Sequence, residues 1–546
     1  MSLRNPTAGI VVYNYLDRGG SKAISSQNYE RIVLTKSIVS IRTNKSKSSP
    51  SGRFEIILAP TKNWIAALST GSWLEIHMSP YQMTEKDLES SNKSTLKMIG
   101  VIDSVRMSMS VDQTTGARSM HYVLVGRDWG SIFESYLYID STVESYADSP
   151  LLNAIKLTYQ VMRGSDVDNS SMVKTTTDLV KTIVKSWGMG VALGIYKNGQ
   201  LDNTANSASY VLPSQLSSKL TAPGLSVSLP SVGSSVIAQY VDVVDGVLSG
   251  HNQYAKDIKE AKGPFNAEAL RGINSMWQLL NTHANTAINE LVTDLRWENN
   301  NSRPTLTLYK RVKPFWLKKN KRYLSSSFFL LKKCNIDKND VVSVEVGTNS
   351  QDVINYVEVV PDFTLFTFKP GETIGAQAYA KGKGPQYDAK SFARHGFKPL
   401  MYSTRFVPVN QNGNTDWQFL IEWGKMLADW YFDTHKMLNG TISIMGQNDF
   451  IGVGDNITVD ASLFGHTSYV KGNSKGKFIA HVESVSHSFS YIENGSRSFL
   501  TNISFTRGIM ANEDATALVS DSSFAVESDV KALPADKTLI DDVYGE

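Results

Sequence analysis

Residues 99–124 read IGVIDSVRMSMSVDQTTGARSMHYVL, and their spacing decides the class of fold. Ile99, Val101, Val105, Met107, Met109 and Val111 recur at every second position, with Asp103 in the same series. Ser104, Arg106, Ser108 and Ser110 fill the alternate places. A period of two over this length predicts a long strand with one apolar and one polar face. Gln113 to Ser119 supplies a glycine-bearing turn, and Met120, Tyr122 and Leu124 resume the alternation, so the stretch is a long β-hairpin.

The pattern returns about 380 residues later. Ile102-Asp103-Ser104-Val105 is answered by Val482-Glu483-Ser484-Val485, and Gly116, Arg118 and Ser119 of the turn by Gly495, Arg497 and Ser498. Two shorter segments precede each hairpin in the same order. Gly52-Arg53-Phe54-Glu55-Ile56 matches Gly440-Thr441-Ile442-Ser443-Ile444, and Gly71-Ser72-Trp73-Leu74-Glu75-Ile76 matches Gly454-Asp455-Asn456-Ile457-Thr458-Val459. Four elements in one order point to duplication of a β-barrel unit.

Outward from the hairpins the chain is mixed. Helical spacing is expected over Ser131–Tyr138, Ser149–Met162, Thr177–Trp187, Ala267 to about Asp294, and Asp416–Met437, where Phe419, Trp423, Met426, Leu427, Trp430 and Tyr431 make one stripe. Val211–Ser235 reads as strands and loops, and Val341–Val360 alternates again. The expected fold is mainly β (α+β). Residues 1–145 form a first tube-like barrel with an attached helix and 146–340 intervening mixed α+β domains. Residues 341–360 and 410–510 form a second barrel, 361–409 an insertion and 511–546 an acidic arm.

Composition narrows the function. A net charge of +3 over 546 residues is too weak to draw nucleic acid or an anionic membrane by its overall field. The single cysteine, Cys334, excludes an intrachain disulfide framework and suits a reducing compartment. The opening MSLRNPTAGIVVYNYLDRGG has no continuous apolar run, so neither a signal peptide nor membrane insertion is expected. No Walker loop, His-Glu-x-x-His, G-x-S-x-G or calcium loop occurs, and the expectation is no enzyme, no metal and no cofactor. His481 and His487 fall where the first copy has Val101 and Met107 and read as structural. Asp103 and Glu483 read as a shared salt bridge or backbone contact.

Lys310 to Lys333 carries nine basic residues and no acid, interleaved with Phe315, Trp316 and Tyr323. Lys310, Arg311, Lys313, Lys318, Lys319, Lys321 and Arg322 form a candidate partner-contact patch. An acidic partner, such as the arm from Ala511 with its nine acids and two lysines, fits better than a nucleic-acid strand, which stays open.

Three segments resemble the hub proteins of contractile phage tails and related injection machines. They are Asn289-Glu290-Leu291 through Lys313-Pro314-Phe315, Arg394-His395-Gly396-Phe397-Lys398-Pro399-Leu400, and Gly440 to Val459 with the terminal hairpin. The chain resembles the Mu-type hub more than a fused secretion spike. The resemblance implies a homotrimeric baseplate hub of the virion, assembled in the host cytoplasm. Its six barrels would adapt a hexameric tail tube to a trimeric central spike and contact baseplate wedge or tape-measure components. DNA would meet it only in transit. Ser104, Arg106, Ser108, Ser110, Ser484, Ser486, Ser488 and Ser490 are then candidate channel-facing residues. A tube terminator and a tail-associated peptidoglycan hydrolase remain as alternatives.

Overall fold

The computed structural model describes residues 5–15, 29–84, 87–88, 94–111, 118–134, 196–197, 200–201, 275–284, 286–287, 289–296, 305–313, 315, 318–319, 322–323, 331–361, 385–404, 417–446, 449–464, 476–491 and 496–511. The expected helices at Ser149–Met162 and Thr177–Trp187, the stretch Val211–Ser235, and the arm beyond Ala511 lie outside the described residues.

The N-terminal part forms β1 (Thr7–Tyr15), β2 (Tyr29–Leu34), β3 (Ile38–Ser46), β4 (Arg53–Leu58), α1 (Trp64–Ala67), β5 (Trp73–Ser79), β6 (Leu96–Val111) and β7 (Arg118–Asp128). The middle gives β8 (Tyr196–Lys197), β9 (Gln200–Leu201), α2 (Met276–His283), β10 (Asn289–Arg296), β11 (Thr305–Val312), β12 (Lys318–Lys319) and β13 (Arg322–Tyr323). The C-terminal part gives β14 (Lys333–Ile336), β15 (Val341–Gly347), β16 (Tyr356–Pro361), β17 (Gln386–Tyr387), α3 (Ala389–His395), β18 (Pro399–Thr404), α4 (Trp417–Tyr431), β19 (Leu438–Ile444), β20 (Asn456–Asp460), β21 (Lys477–Tyr491) and β22 (Arg497–Ala511).

The protein is mainly β, as the alternation predicts, and among the described residues its strands join in one large sheet without a closed barrel. Thirteen of them form one sheet in the order β15-β19-β22-β21-β3-β4-β7-β6-β5-β1-β2, with β20 beside β21 and β14 beside β20. The sheet is antiparallel except where β14 runs parallel to β20. Among the described residues neither half closes on itself. The edge of β3 is instead taken by β21, from Ser46 opposite Ser484 to Ser40 opposite Ser490, which satisfies its backbone groups without closure.

The two halves repeat each other strand for strand: β3-β4-β7-β6-β5 and β15-β19-β22-β21-β20 have the same neighbours. Val105 lies opposite Leu124 as Val485 lies opposite Ile503, and Ser110 opposite Ser119 as Ser490 opposite Ser498. A β-bulge falls at Asp103 in one hairpin and at Glu483 in the other, and another at Val39 in β3 and at Val342 in β15. The second of these makes Ile38-Val39-Ser40-Ile41 the counterpart of Val341-Val342-Ser343-Val344. The pairing of β5 agrees with the match of Trp73 to Asn456. For β4 it moves the match by two residues, since Ile56 faces Leu124 as Ile442 faces Ile503. A slip of two keeps each side chain on its face, so alternation alone could not detect it.

Each half has its own core. Ile41, Phe54, Ile56, Leu74, Ile76, Ile102 and Leu124 pack in the first, joined by Phe489 and Phe499 from the tip of the second hairpin. Ile442, Ile457, Val459, Phe478, Val485, Ile503 and Phe505 pack in the second. β16 does not continue the large sheet after β15. It pairs with β17 and β18 in a three-stranded sheet, and Val357 and Val359 pack on Trp423, Met426, Leu427 and Trp430 of α4.

Several helical expectations are corrected. Helix α2 ends at His283, and Asn289–Arg296, expected as the end of that helix, is strand β10. Asn289 turns back to donate its amide to the carbonyl of Ala284, and Asn289 to Leu295 are all buried. A strand buried on both faces loses the alternation that would announce it. Ser131–Tyr138 begins as a 3-10 turn, Trp129–Glu134, and α4 stops at Tyr431, six residues before Met437. No helix among the described residues is long and apolar enough to cross a membrane.

Candidate functional site

The candidate channel-facing residues share one face of the large sheet. On β21, Ser484, Ser486, Ser488 and Ser490 stand opposite Ser46, Asn44, Arg42 and Ser40 of β3. Arg42 in turn faces Glu55, and Glu55 faces Val125. On β6, Ser104, Arg106, Ser108 and Ser110 stand opposite Val125, Val123, His121 and Ser119 of β7. The two serine rows are therefore joined by continuous pairing through β3, β4 and β7. Four strand spacings separate them, roughly 20 Å of sheet. The opposite face carries Ile41, Phe54, Ile56 and Leu124 into the core, which fixes the polar row on the other side.

On this face Arg106 and Ser110 are exposed, and Ser104, Ser108 and the four serines of β21 are half-buried. The hydroxyls of Ser490 and Ser498 bond across β21 and β22 at 2.9 Å. Arg127 donates to both carboxylate oxygens of Asp103, at 2.8 and 3.1 Å, and to Glu134 at 3.0 Å. These bonds, first of all those to Asp103, hold its guanidinium above its ordinary range despite partial burial. At the matching bulge, Glu483 accepts from Thr506 at 2.8 Å and from Lys47 at 3.0 Å. Thr506 occupies the place of Arg127, so the repeated acids anchor the bulges. What the face offers a passing surface is rows of serine hydroxyls with Arg42, Arg53 and Arg106 exposed among them.

Behind this face, where the halves meet, lies a buried polar junction that alternation did not reveal. The ammonium of Lys45 donates to Asp128 at 2.5 Å, to the Pro50 carbonyl at 2.7 Å and to Thr293 of β10 at 2.8 Å, which uses all three of its protons. Lys47 also reaches Glu290 of β10 at 3.4 Å. Lys45, Asp128, Lys97, His487 and Asp294 line a cavity of about 30 Å³, room for a single water. Burial pushes Lys97 down to about 7, and burial, then the neighbouring Lys97, holds His487 well below the usual histidine range. His487 bonds Thr501 at 2.9 Å and His481 bonds Asn456 at 3.1 Å, both wholly inside the sheet. Among the described residues no three His, Cys, Asp or Glu side chains are grouped to hold a metal ion.

The basic stretch is described only in part. Lys310 and Arg311 lie on β11, and Lys318, Lys319 and Arg322 on β12 and β13. Their side chains, and the whole of Lys321, are outside the described residues. Lys313 donates to the Tyr431 hydroxyl at 3.3 Å, and Lys332 lies 3.6 Å from Asp455. Phe315 packs edge-on against Trp430 and Tyr431 and carries the guanidinium of Arg507, 3.3 Å from its ring centre. Burial lowers Arg507 to about 10; its backbone adopts φ 55°, and its guanidinium Nη1 donates to the Trp430 carbonyl at 3.1 Å. Phe315 of the stretch is thus part of a core; Trp316 and the side chain of Tyr323 lie outside the described residues.

No protein-family model matches the chain, and no curated protein matches it. Solved structures that resemble it include the tail protein from Neisseria meningitidis MC58, with TM-score 0.40 and 12% identity over 92% of this chain and 96% of that one. The 43 kDa tail protein of prophage MuSo2 from Shewanella oneidensis gives TM-score 0.38 and 11% identity over 93% and 99%.

Proposed function

We propose that the chain is a structural baseplate hub of a contractile phage tail, a homotrimer that adapts a hexameric tail tube to a trimeric central spike. The observation that carries this reading is the doubled unit, with the same strand order, registers and bulges in both halves of one sheet. Three chains with two similar units each offer a sixfold partner six places and a threefold partner three. The shared polar face supports a second element of the reading, a wall for the DNA channel. Serine hydroxyls are neutral and Arg127 is committed to Asp103, which leaves Arg42, opposite Glu55, and the exposed Arg53 and Arg106 as the cations a polyanion in transit would meet.

In this role the partners are other copies of the chain, the tube protein, the spike protein and baseplate wedge or tape-measure components, all within the virion. No catalytic step belongs to it. Light scattering on the purified assembly should give three times 60.3 kDa, with six lobes in negative-stain images. Six chains would favour a tube-terminator ring instead, and a cleared band on a peptidoglycan zymogram would favour a hydrolase. Cysteines at Ser108 and Ser488 should react with a thiol label in disassembled hub and be shielded in intact virions. Equal labelling in both would remove these residues from the channel wall.

A further inference from the structure

The junction inside the chain has counterparts of its two partners that are left unused. β3 adds to β21 just beyond the point where β20 leaves it. In the first half, β5 leaves β6 at Val101, and among the described residues no strand pairs with the outer edge of β6 from Ser104 to Val111. The counterpart of β3 is β15, which ends the sheet with only β19 beside it. One half thus ends in an open donor strand and the other in an open acceptor edge.

Side-chain exposure follows the same division. Met107, Met109, Val111 and Met120, at the tip of the first hairpin, are 51%, 60%, 53% and 38% exposed. Their counterparts by register are His487, Phe489, Tyr491 and Phe499. Phe489 and Phe499 are 1% and 3% exposed, inside the first-half core. The apolar tip is covered where β3 is present and bare where its counterpart is missing. An apolar strip with an open edge of this kind is an interaction surface.

We infer that β15 of one copy adds antiparallel to β6 of a second copy, in the register by which β3 meets β21. Carried over, that register sets Ser343 opposite Ser110, Val344 opposite Met109, Glu345 opposite Ser108, Val346 opposite Met107 and Gly347 opposite Arg106. The contact is heterologous, so each copy gives one edge and receives another, and under the threefold reading the third copy closes the ring. Glu345 comes one pair from Arg106 on the same face, giving opposite charges across the new junction. The methionines come to rest on the second-half core of the neighbour. For the number of copies the inference rests on the hub reading above; for the register it does not. Eight strands from each of three chains would line one wall, and barrels of about 16 to 18 strands already leave an open channel.

The test places cysteines at Ser110 and Ser343 together in the full chain, with oxidation or a short thiol cross-linker. The expected result is a ladder of chains joined to one another, absent from each single variant; Cys334 is buried and adds little background. Ser104→Cys with Ser343→Cys, six residues out of register, should give no ladder. Glu345→Arg should weaken assembly several-fold, and adding Arg106→Glu should restore part of it. A monomer at all concentrations, a bond formed only within one chain, or a ladder from the out-of-register pair would overturn the inference. A ladder from an assembly of other than three chains would keep this pairing and sink the threefold reading. A three-chain assembly without the ladder would do the reverse.

Discussion

Phe54 and Gly126 face each other across β4 and β7, and at the matching place in the second half Gly440 faces Phe505. The ring has changed strands while the pair has kept one large and one absent side chain. A Cβ on Gly126 would sit 2.1 Å from the Val101 carbonyl oxygen, and one on Gly440 would sit 1.9 Å from that of Glu345. Gly126→Ala and Gly440→Ala should each destabilise by roughly 1–3 kcal/mol, as overpacking does, seen as a fall in Tm. Ionised groups give a sharper contrast. The pair Asp103–Arg127 is 38% and 41% exposed, so Asp103→Ala should cost under about 1 kcal/mol. Asp128→Ala removes the counter-charge of Lys45, which is 12% exposed and keeps only the Pro50 carbonyl and Thr293, and should cost up to about 3–5 kcal/mol in denaturant unfolding. His487 and Lys97 act through pH. Both are depressed in the fold, so the unfolded chain binds the extra protons. The share from His487 is present above about pH 6.5 and lost below it, while that from Lys97 grows from about 7 toward its unfolded value of 10.5. Tm should therefore fall from pH 8 to pH 5, and less steeply in His487→Gln.

At the scale of elements, the hairpins were legible because each strand is long and only one face is apolar. The bulges were half legible, since Asp103 and Glu483 recur where a carboxylate breaks an apolar series. β10 was not legible, because burial of Asn289 to Leu295 on both faces leaves Leu291 and Leu295 at a spacing that also fits a helix. β15 was recognised as a strand, but its kinship with β3 rests on a four-residue likeness that only the shared bulge and register secure. Arg507 fastens β22 to α4 through a stacked guanidinium and a carbonyl bond. Arg507→Lys keeps the charge but loses the planar stack, so it should lower stability by more than an exposed Arg→Lys change on the polar face, such as Arg53→Lys.

For the whole molecule, the two halves are coupled chiefly where β21 crosses from its own core to that of the other half. Phe489 belongs to the second hairpin and to the first core. Its replacement by alanine should cost about 3–5 kcal/mol and loosen the halves from each other. Calorimetry should then show the transitions of the two halves further apart than in the unsubstituted chain, and a profile merely shifted to lower temperature would place the coupling elsewhere. By itself the sequence determined the class of fold, the repeat, both hairpins and the polar row on each, because these follow from local alternation and from residues a fixed distance apart. Only the tertiary structure decided that the rows share one face, that β3 closes on β21, and that Lys45 and His487 meet behind them. Such contacts join strands hundreds of residues apart through backbone groups that every residue carries, and a backbone hydrogen bond leaves no mark on the choice of side chain.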